Sequence, residues 1–318
     1  MSESDSQPGS SSSQAPVAVT GPELIVLEAL KIAHTSTGSE QYLRVYQQLG
    51  QRVGQRHAAA ARVDPAAQSA PPAPVTPAAA QALPATAPAA GPMRIRMICA
   101  TRADRDGFFS STALGRSLTL HRPQGVEVRL FPRNEQGLPS VYNTAMGESA
   151  HDQVALVFVH DDVYLCDFHW ADRLREALTA FDIVGLVGNR RRLPGQPGWA
   201  FIDEKFTLDK RVHLSGAVGH GEGFPPETID VFGPSNQKVV LLDGLFIAAR
   251  SEALQSRSVR FDERFDFHFY DLDFCRQAER SGLTMGTWPI SVVHQSRGGF
   301  VSDGWRQGYE RYLEKWGD

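Results

Sequence analysis

His160-Asp161-Asp162 closes the apolar run QVALVFVH that begins at Gln153. Three titratable groups at the end of such a strand are costly to bury unless they are paired or bound to a metal. Strands alternate their faces, so His160 and Asp162 project one way and Asp161 the other, and two ligands would converge on one point. Oxygen and imidazole ligands suit Mg2+ or Mn2+ better than a thiolate-loving ion. Such ions take few carboxylates from protein and fill the rest with phosphate and water, which points to a nucleotide diphosphate. The competing reading is that Asp161 or Asp162 merely opens the turn into VYLCDF, since Asp is a common turn residue.

A second acidic pair lies in YDLDFCRQAERSG, where a helix is expected to start near Asp271. An Asp there accepts helix N–H bonds and complements the dipole. Asp271 and Asp273 are two positions apart, about 200° around a helix, and cannot point the same way. One caps the helix or pairs with an arginine, which leaves the other to face a cleft, where a carboxylate can deprotonate a hydroxyl. His294 ends the apolar strand ISVVH. Alone it reads as a hydrogen-bonded structural histidine; beside a His-x-Asp point it becomes a candidate third ligand.

These residues need a scaffold that delivers strand ends to one edge. From Met93 onward apolar strands alternate with amphipathic helices, the texture of an α/β domain with a mixed, mostly parallel sheet. Strands are expected over 94–100, 126–131, 153–160 and 183–188, and helices over 108–121, 138–150 and 168–181. Residues 190–224, rich in Gly, Pro and aromatics, read as a long functional loop with short strands. Regular structure returns with KVVLLDG and LFIAAR, a helix over 270–281, and the strands LTMGTWP and ISVVHQ. Ligands of open α/β sheets bind beyond the carboxyl ends of strands. Thr101-Arg102, Arg133-Asn134 and His160-Asp161-Asp162 occupy such ends.

Ahead of this domain, residues 1–19 are rich in Ser and Gln and 64–92 in Pro and Ala, compositions of a tail and an extended linker. Between them Thr20-Gly-Pro-Glu23 and Thr37-Gly-Ser-Glu40 have the form of capping boxes, each before a short apolar stripe. A helical hairpin over 20–63 is expected, as a packing element or a surface for a partner or self-association. Net charge is −4, which excludes an electrostatic footprint for nucleic acid. Cys99, Cys166 and Cys275 show no metal-ligand spacing and are expected to be buried thiols in a reducing compartment. No run approaches the roughly 18 apolar residues of a membrane span, and a soluble, cytoplasmic protein is expected.

HDDVYL, VVLLDGLFIAARSEAL, FDERFDFHFYDLDFCRQAERSGL and WPISVVHQSRGG, in that order, resemble the family 2-like nucleotide-diphospho-sugar glycosyltransferases of GT-A fold. The resemblance covers about Met93 to Gly299. It implies a metal-dependent hexosyl transfer from a nucleotide-diphosphate sugar to a glycan, lipid-linked or protein acceptor. His160-Asp161-Asp162 is similar to the family's D-x-D signature, with His in place of the first Asp, so the implied ligands of Mn2+ or Mg2+ are Asp162, His294 and His160. Asp271 matches the catalytic base and Asp243, in LLDGLF, the strand lining donor sugar and acceptor. Arg102, Asn134, Asp161, Asp243 and Asp273 are the implied donor- and acceptor-binding residues. Inverting single displacement is expected, although spacing alone leaves retention open. Trp199, Phe201 and Phe224 either stack on a sugar face or pack in the core. A catalytically silent sugar-nucleotide-binding scaffold remains the alternative, and a nucleotidyltransferase fits less well, because ATRADRDGFF carries only one glycine after the first strand.

Overall fold

A computed structural model describes Gln47 and residues 92–296 and 302–317. The tail, hairpin and linker expected over 1–92 lie outside the described residues except for Gln47 and Pro92. The first part runs β1 (Arg94–Ala100), α1 (Arg105–Ser111), α2 (Ala113–Leu120), β2 (Val126–Phe131), α3 (Leu138–Glu148), β3 (Val154–Val159), β4 (Val163–Leu165) and α4 (Trp170–Ala180). Six short strands follow: β5 (Ile183–Gly185), β6 (Val187–Asn189), β7 (Leu214–His220), β8 (Thr228–Gly233), β9 (Lys238–Val239) and β10 (Leu241–Leu242). The remainder is β11 (Phe246–Arg250), α5 (Ser251–Ser256), α6 (Tyr270–Arg280), β12 (Met285–Thr287), β13 (Val292–His294) and α7 (Asp303–Trp316).

Two sheets result. One has the order β2-β1-β3-β11-β5-β12-β9; the other runs β10-β6-β7-β13-β4, with β8 added to β7. The fold is the mixed α/β arrangement expected, but the parallel pairings are confined to β2-β1-β3, β5-β12 and β7-β13. β11 enters antiparallel between β3 and β5 and so reverses the direction in mid-sheet. β3 shows why a run such as VALVFV makes a central strand. All six residues are buried, and alternate side chains enter different cores: Val154, Leu156 and Phe158 join one, Ala155, Val157 and Val159 the other.

Two expected elements differ, and one further element has no counterpart in the sequence reading. The helix over 108–121 breaks at Thr112, whose backbone is extended (φ −77°, ψ 153°) and whose hydroxyl caps α2 by accepting from Gly115 N at 3.0 Å. A side chain at Gly115 would collide with the carbonyl of Phe108, so glycine is what lets α2 fold back on α1. The strand over 183–188 is two strands, because the chain passes at Leu186 from the first sheet (β5) to the second (β6). The C-terminal α7 was not read from sequence, although Trp305, Tyr309 and Tyr312 mark one buried face at helical spacing.

The chain also changes sheets between β3 and β4, and between β12 and β13. Loops from both sheets thereby meet along one seam. Among the described residues no helix is long and apolar enough to cross a membrane.

Candidate active site

His160 stands at the first of these crossings, where its N–H bonds Leu245 O at 3.1 Å. Two residues on, Asp162 meets the end of β13: Gln295 N donates to Asp162 O at 3.0 Å, and His294 pairs in register with Val163 and with His220. The ligand atoms of His160, Asp162 and His294 lie within 4.8 Å of one another. Asp162 Oδ1 is 3.3 Å from His294 Nε2 and 4.0 Å from His160 Nδ1. Asp162 Oδ1 and His294 Nε2 are both buried, and neither completes a hydrogen bond of proper geometry. Buried polar atoms of that kind are rare unless something else binds them. The trio therefore fits a divalent cation, and two imidazoles with one carboxylate favour a first-row transition ion such as Mn2+ over Mg2+.

Electrostatics within the trio are asymmetric. Burial holds His160 below the usual imidazole range despite the charge of Asp162. Burial also opposes protonation of His294, but the facing Asp162 carboxylate outweighs it and raises that pKa. Burial works against the Asp162 carboxylate too, yet its two histidine neighbours keep it below the ordinary carboxylate range.

Tyr270, the first residue of α6, ties this group to the second acidic residue. Its hydroxyl is 2.9 Å from His160 Nε2 and donates to Gly244 O at 2.8 Å. Gly244 N in turn donates to Asp271 Oδ2 at 3.0 Å. A side chain at Gly244 would run into Tyr270 Oη, so this close approach requires glycine. Asp271 sits in the first turn of α6. Burial, with the charge of Asp243 added, pushes its carboxyl up to about 7. Asp243 is itself fixed by Trp199 Nε1 at 2.5 Å and by Leu245 N at 2.8 Å. Phe269, just before the helix, is held in the left-handed region at φ 66°, with its ring against Trp305, Tyr309 and Tyr312. Strain of this sort concentrates at functional sites.

A cavity of about 770 Å³ opens over the seam, and His160, Asp162, His294, Asp243 and Asp271 all line it. Trp199 and Phe201 line it as well, whereas Phe224 is outside and 71 % exposed. Arg102, Asn134, Asp161 and Asp273 do not reach it. Arg102 is exposed beyond β1. Asn134 folds into its own turn, donating to Gln136 O at 2.7 Å, and Asp161 accepts from Thr101 Oγ1 at 2.6 Å. Asp273 is fully buried on the far side of α6, held by Lys315 Nζ at 2.5 Å, Gln277 Nε2 at 2.6 Å and Trp316 Nε1 at 2.9 Å. Tyr270, Gly244 and the Trp199–Asp243 contact were missed from sequence. The signals available were a tyrosine directly before Asp271 and an Asp-Gly pair at a strand end. Cys99 and Cys275 are buried thiols as expected, while Cys166 is half-buried.

Several solved structures are similar to this chain. The mannosyltransferase PcManGT from Pyrobaculum calidifontis, in complex with GDP-Man and Mn2+, is 12 % identical with a TM-score of 0.39, over 87 % of this chain and 70 % of that one. TarS 1–349 from S. aureus is 12 % identical with a TM-score of 0.37, over 64 % of this chain and 60 % of that one. The catalytic domain of Drosophila β1,4-galactosyltransferase 7, in complex with xylobiose, is 10 % identical with a TM-score of 0.36, over 61 % and 64 %. The chain spans less than two thirds of the length of the last two, and likeness at this level bears on no residue's role. No curated protein matches the sequence. The profile described as "Glycosyltransferase like family" matches residues 109–298. That match takes in more than half of the chain, which therefore belongs to the glycosyltransferase-like family and is a glycosyltransferase.

Proposed function

We propose that the chain moves a hexosyl group from a nucleotide-diphosphate sugar to an acceptor hydroxyl, with inversion at the anomeric carbon. The observation that carries this reading is that the Asp271 carboxylate opens on the same cavity as His160, Asp162 and His294. Asp271 acts as general base, and a pKa near neutrality suits that task. As the acceptor oxygen bonds the anomeric carbon, its proton passes to Asp271. The bond from that carbon to the diphosphate breaks, and its electron pair leaves with the nucleoside diphosphate. Gly244 N fixes one carboxylate oxygen, so the base is oriented before the acceptor arrives.

His160, Asp162 and His294 hold Mn2+ or Mg2+, which when bound offsets the charge that develops on the departing diphosphate. Arg102, Asn134 and Asp161 stand at the ends of β1, β2 and β3, outside the cavity, and would meet only a part of the nucleotide that extends beyond it. Asp243, steadied by Trp199, orients the donor sugar or the acceptor.

The test is a panel of nucleotide-diphospho-sugars incubated with the full chain and Mn2+, following nucleoside diphosphate release. Release should be abolished by EDTA. Asp162→Ala should weaken metal-dependent nucleotide binding, and Asp271→Asn should stop transfer while donor binding persists. Tight binding without turnover by the wild type would favour a silent scaffold, and an exchange of the two variants' phenotypes would exchange the roles.

A further inference from the structure

The cavity has two chemically different parts. Its catalytic groups gather along the seam between the sheets, and residues 197–232 with Phe267, whose ring stacks on His160, form the wall beside them. On that wall Leu208, Val231 and Phe267 line the cavity yet remain 49 %, 53 % and 51 % exposed. Ile229, on the same face of β8 two residues from Val231, is 63 % exposed and continues the apolar stripe outward. Isolated exposed apolar side chains are ordinary, but several that line one cavity mark a surface that a ligand can cover.

Two of the polar groups on this wall are already engaged. Arg211 donates to Val231 O at 2.7 Å, and Asp230 faces His220 Nε2 at 3.3 Å. No Asn, Gln, Glu or Lys occurs among the described lining residues. A sugar ring lying on Leu208, Val231 and Phe267 would set its hydroxyls against apolar side chains, which is unfavourable. A hydrocarbon body would instead take half-exposed Leu, Val and Phe surface out of water, a gain that grows with the area covered. The cavity is within the size range that encloses a drug-sized molecule.

Resting on the transferase function proposed above, we infer that the acceptor hydroxyl is carried on an amphiphile with an alkyl or aryl body, which lies along Leu208, Val231 and Phe267 while its hydroxyl reaches Asp271.

The experiment compares methyl β-glucoside with octyl β-glucoside, below its micellar concentration, by calorimetric binding to the full chain and as acceptors with a donor that the chain hydrolyses. The octyl compound should bind at least tenfold more tightly and show a correspondingly lower KM. Val231→Thr, which keeps the β-branch, and Leu208→Ser should each erode that preference severalfold while affinity for the methyl compound holds. Equal affinity for the two glucosides overturns the inference, whether or not a hydroxylated peptide then proves to be an acceptor. So does an octyl preference that both variants retain. Donor hydrolysis by the wild type reads the transferase proposal separately: octyl binding without hydrolysis leaves the apolar site standing and removes the enzyme.

Discussion

His160 Nε2 lies 2.9 Å from the hydroxyl of Tyr270, and that contact fixes the histidine's tautomer. The Tyr270 proton is committed to Gly244 O, which can only accept, and burial holds the phenol well above its usual range. The hydroxyl must therefore accept from His160, whose Nε2 carries the hydrogen. Nδ1 is left as the bare lone pair on the side of Asp162. A second bond of this kind is how proteins orient imidazole ligands.

Tyr270→Phe should accordingly weaken Mn2+ binding about tenfold, measured by titrating the ion against the metal-free chain. Loss of the donor to Gly244 O should also cost about 1–2 kcal/mol of stability. An unchanged Mn2+ affinity in a folded variant would mean that the ring needs no such anchor.

The pH dependence of transfer follows from Asp271. Its carboxyl is raised to about 7, first by burial and then by the charge of Asp243. A general base works only when unprotonated, so kcat/KM should rise with pH through about 7 and then level off. Measured between pH 5.5 and 9 at saturating Mn2+, a profile without that limb would assign the proton to another group.

The same shift has a cost in stability. A carboxyl whose folded pKa exceeds its unfolded value binds more protons when folded, so stability falls as pH rises from about 4 through about 7. Asp271→Asn carries no such charge. In metal-free protein the variant should match the wild type near pH 4 and exceed it by about 2–4 kcal/mol at pH 8. Thermal melts at the two pH values test the sign; a variant less stable at pH 8 would contradict it.

Elements with strong periodicity were legible in the sequence, and so was the set of strand ends. β3 announces itself as an unbroken apolar run, and α6 begins at Tyr270 as the acidic pair requires. What local pattern could not carry was pairing at a distance. Leu186 reads as the middle of one strand because IVGLVG is continuous in hydropathy, and only the presence of two sheets splits it. Thr112 reads as helical because the break depends on α2 folding back over Phe108. In the site, the Asp271–Asp273 spacing established that the two carboxylates diverge. Which of them meets a cation was decided by α7, a helix more than thirty residues further on.

That division yields the last expectation. Asp273 is fully buried, and Lys315, Gln277 and Trp316 bond it. Lys315 is also shared with Asp262 at 2.7 Å. Burial nevertheless raises the Asp273 carboxyl, the desolvation outweighing the lysine. Asp273→Ala removes the acceptor and leaves a lysine, an amide and an indole N–H without one of their partners, a change worth about 3 kcal/mol. Asp273→Asn keeps an acceptor oxygen and should lose less. Urea denaturation should rank wild type above D273N and D273N above D273A, while donor binding per folded molecule stays the same. Loss of donor binding by D273A at undiminished stability would instead return this carboxylate to the active site.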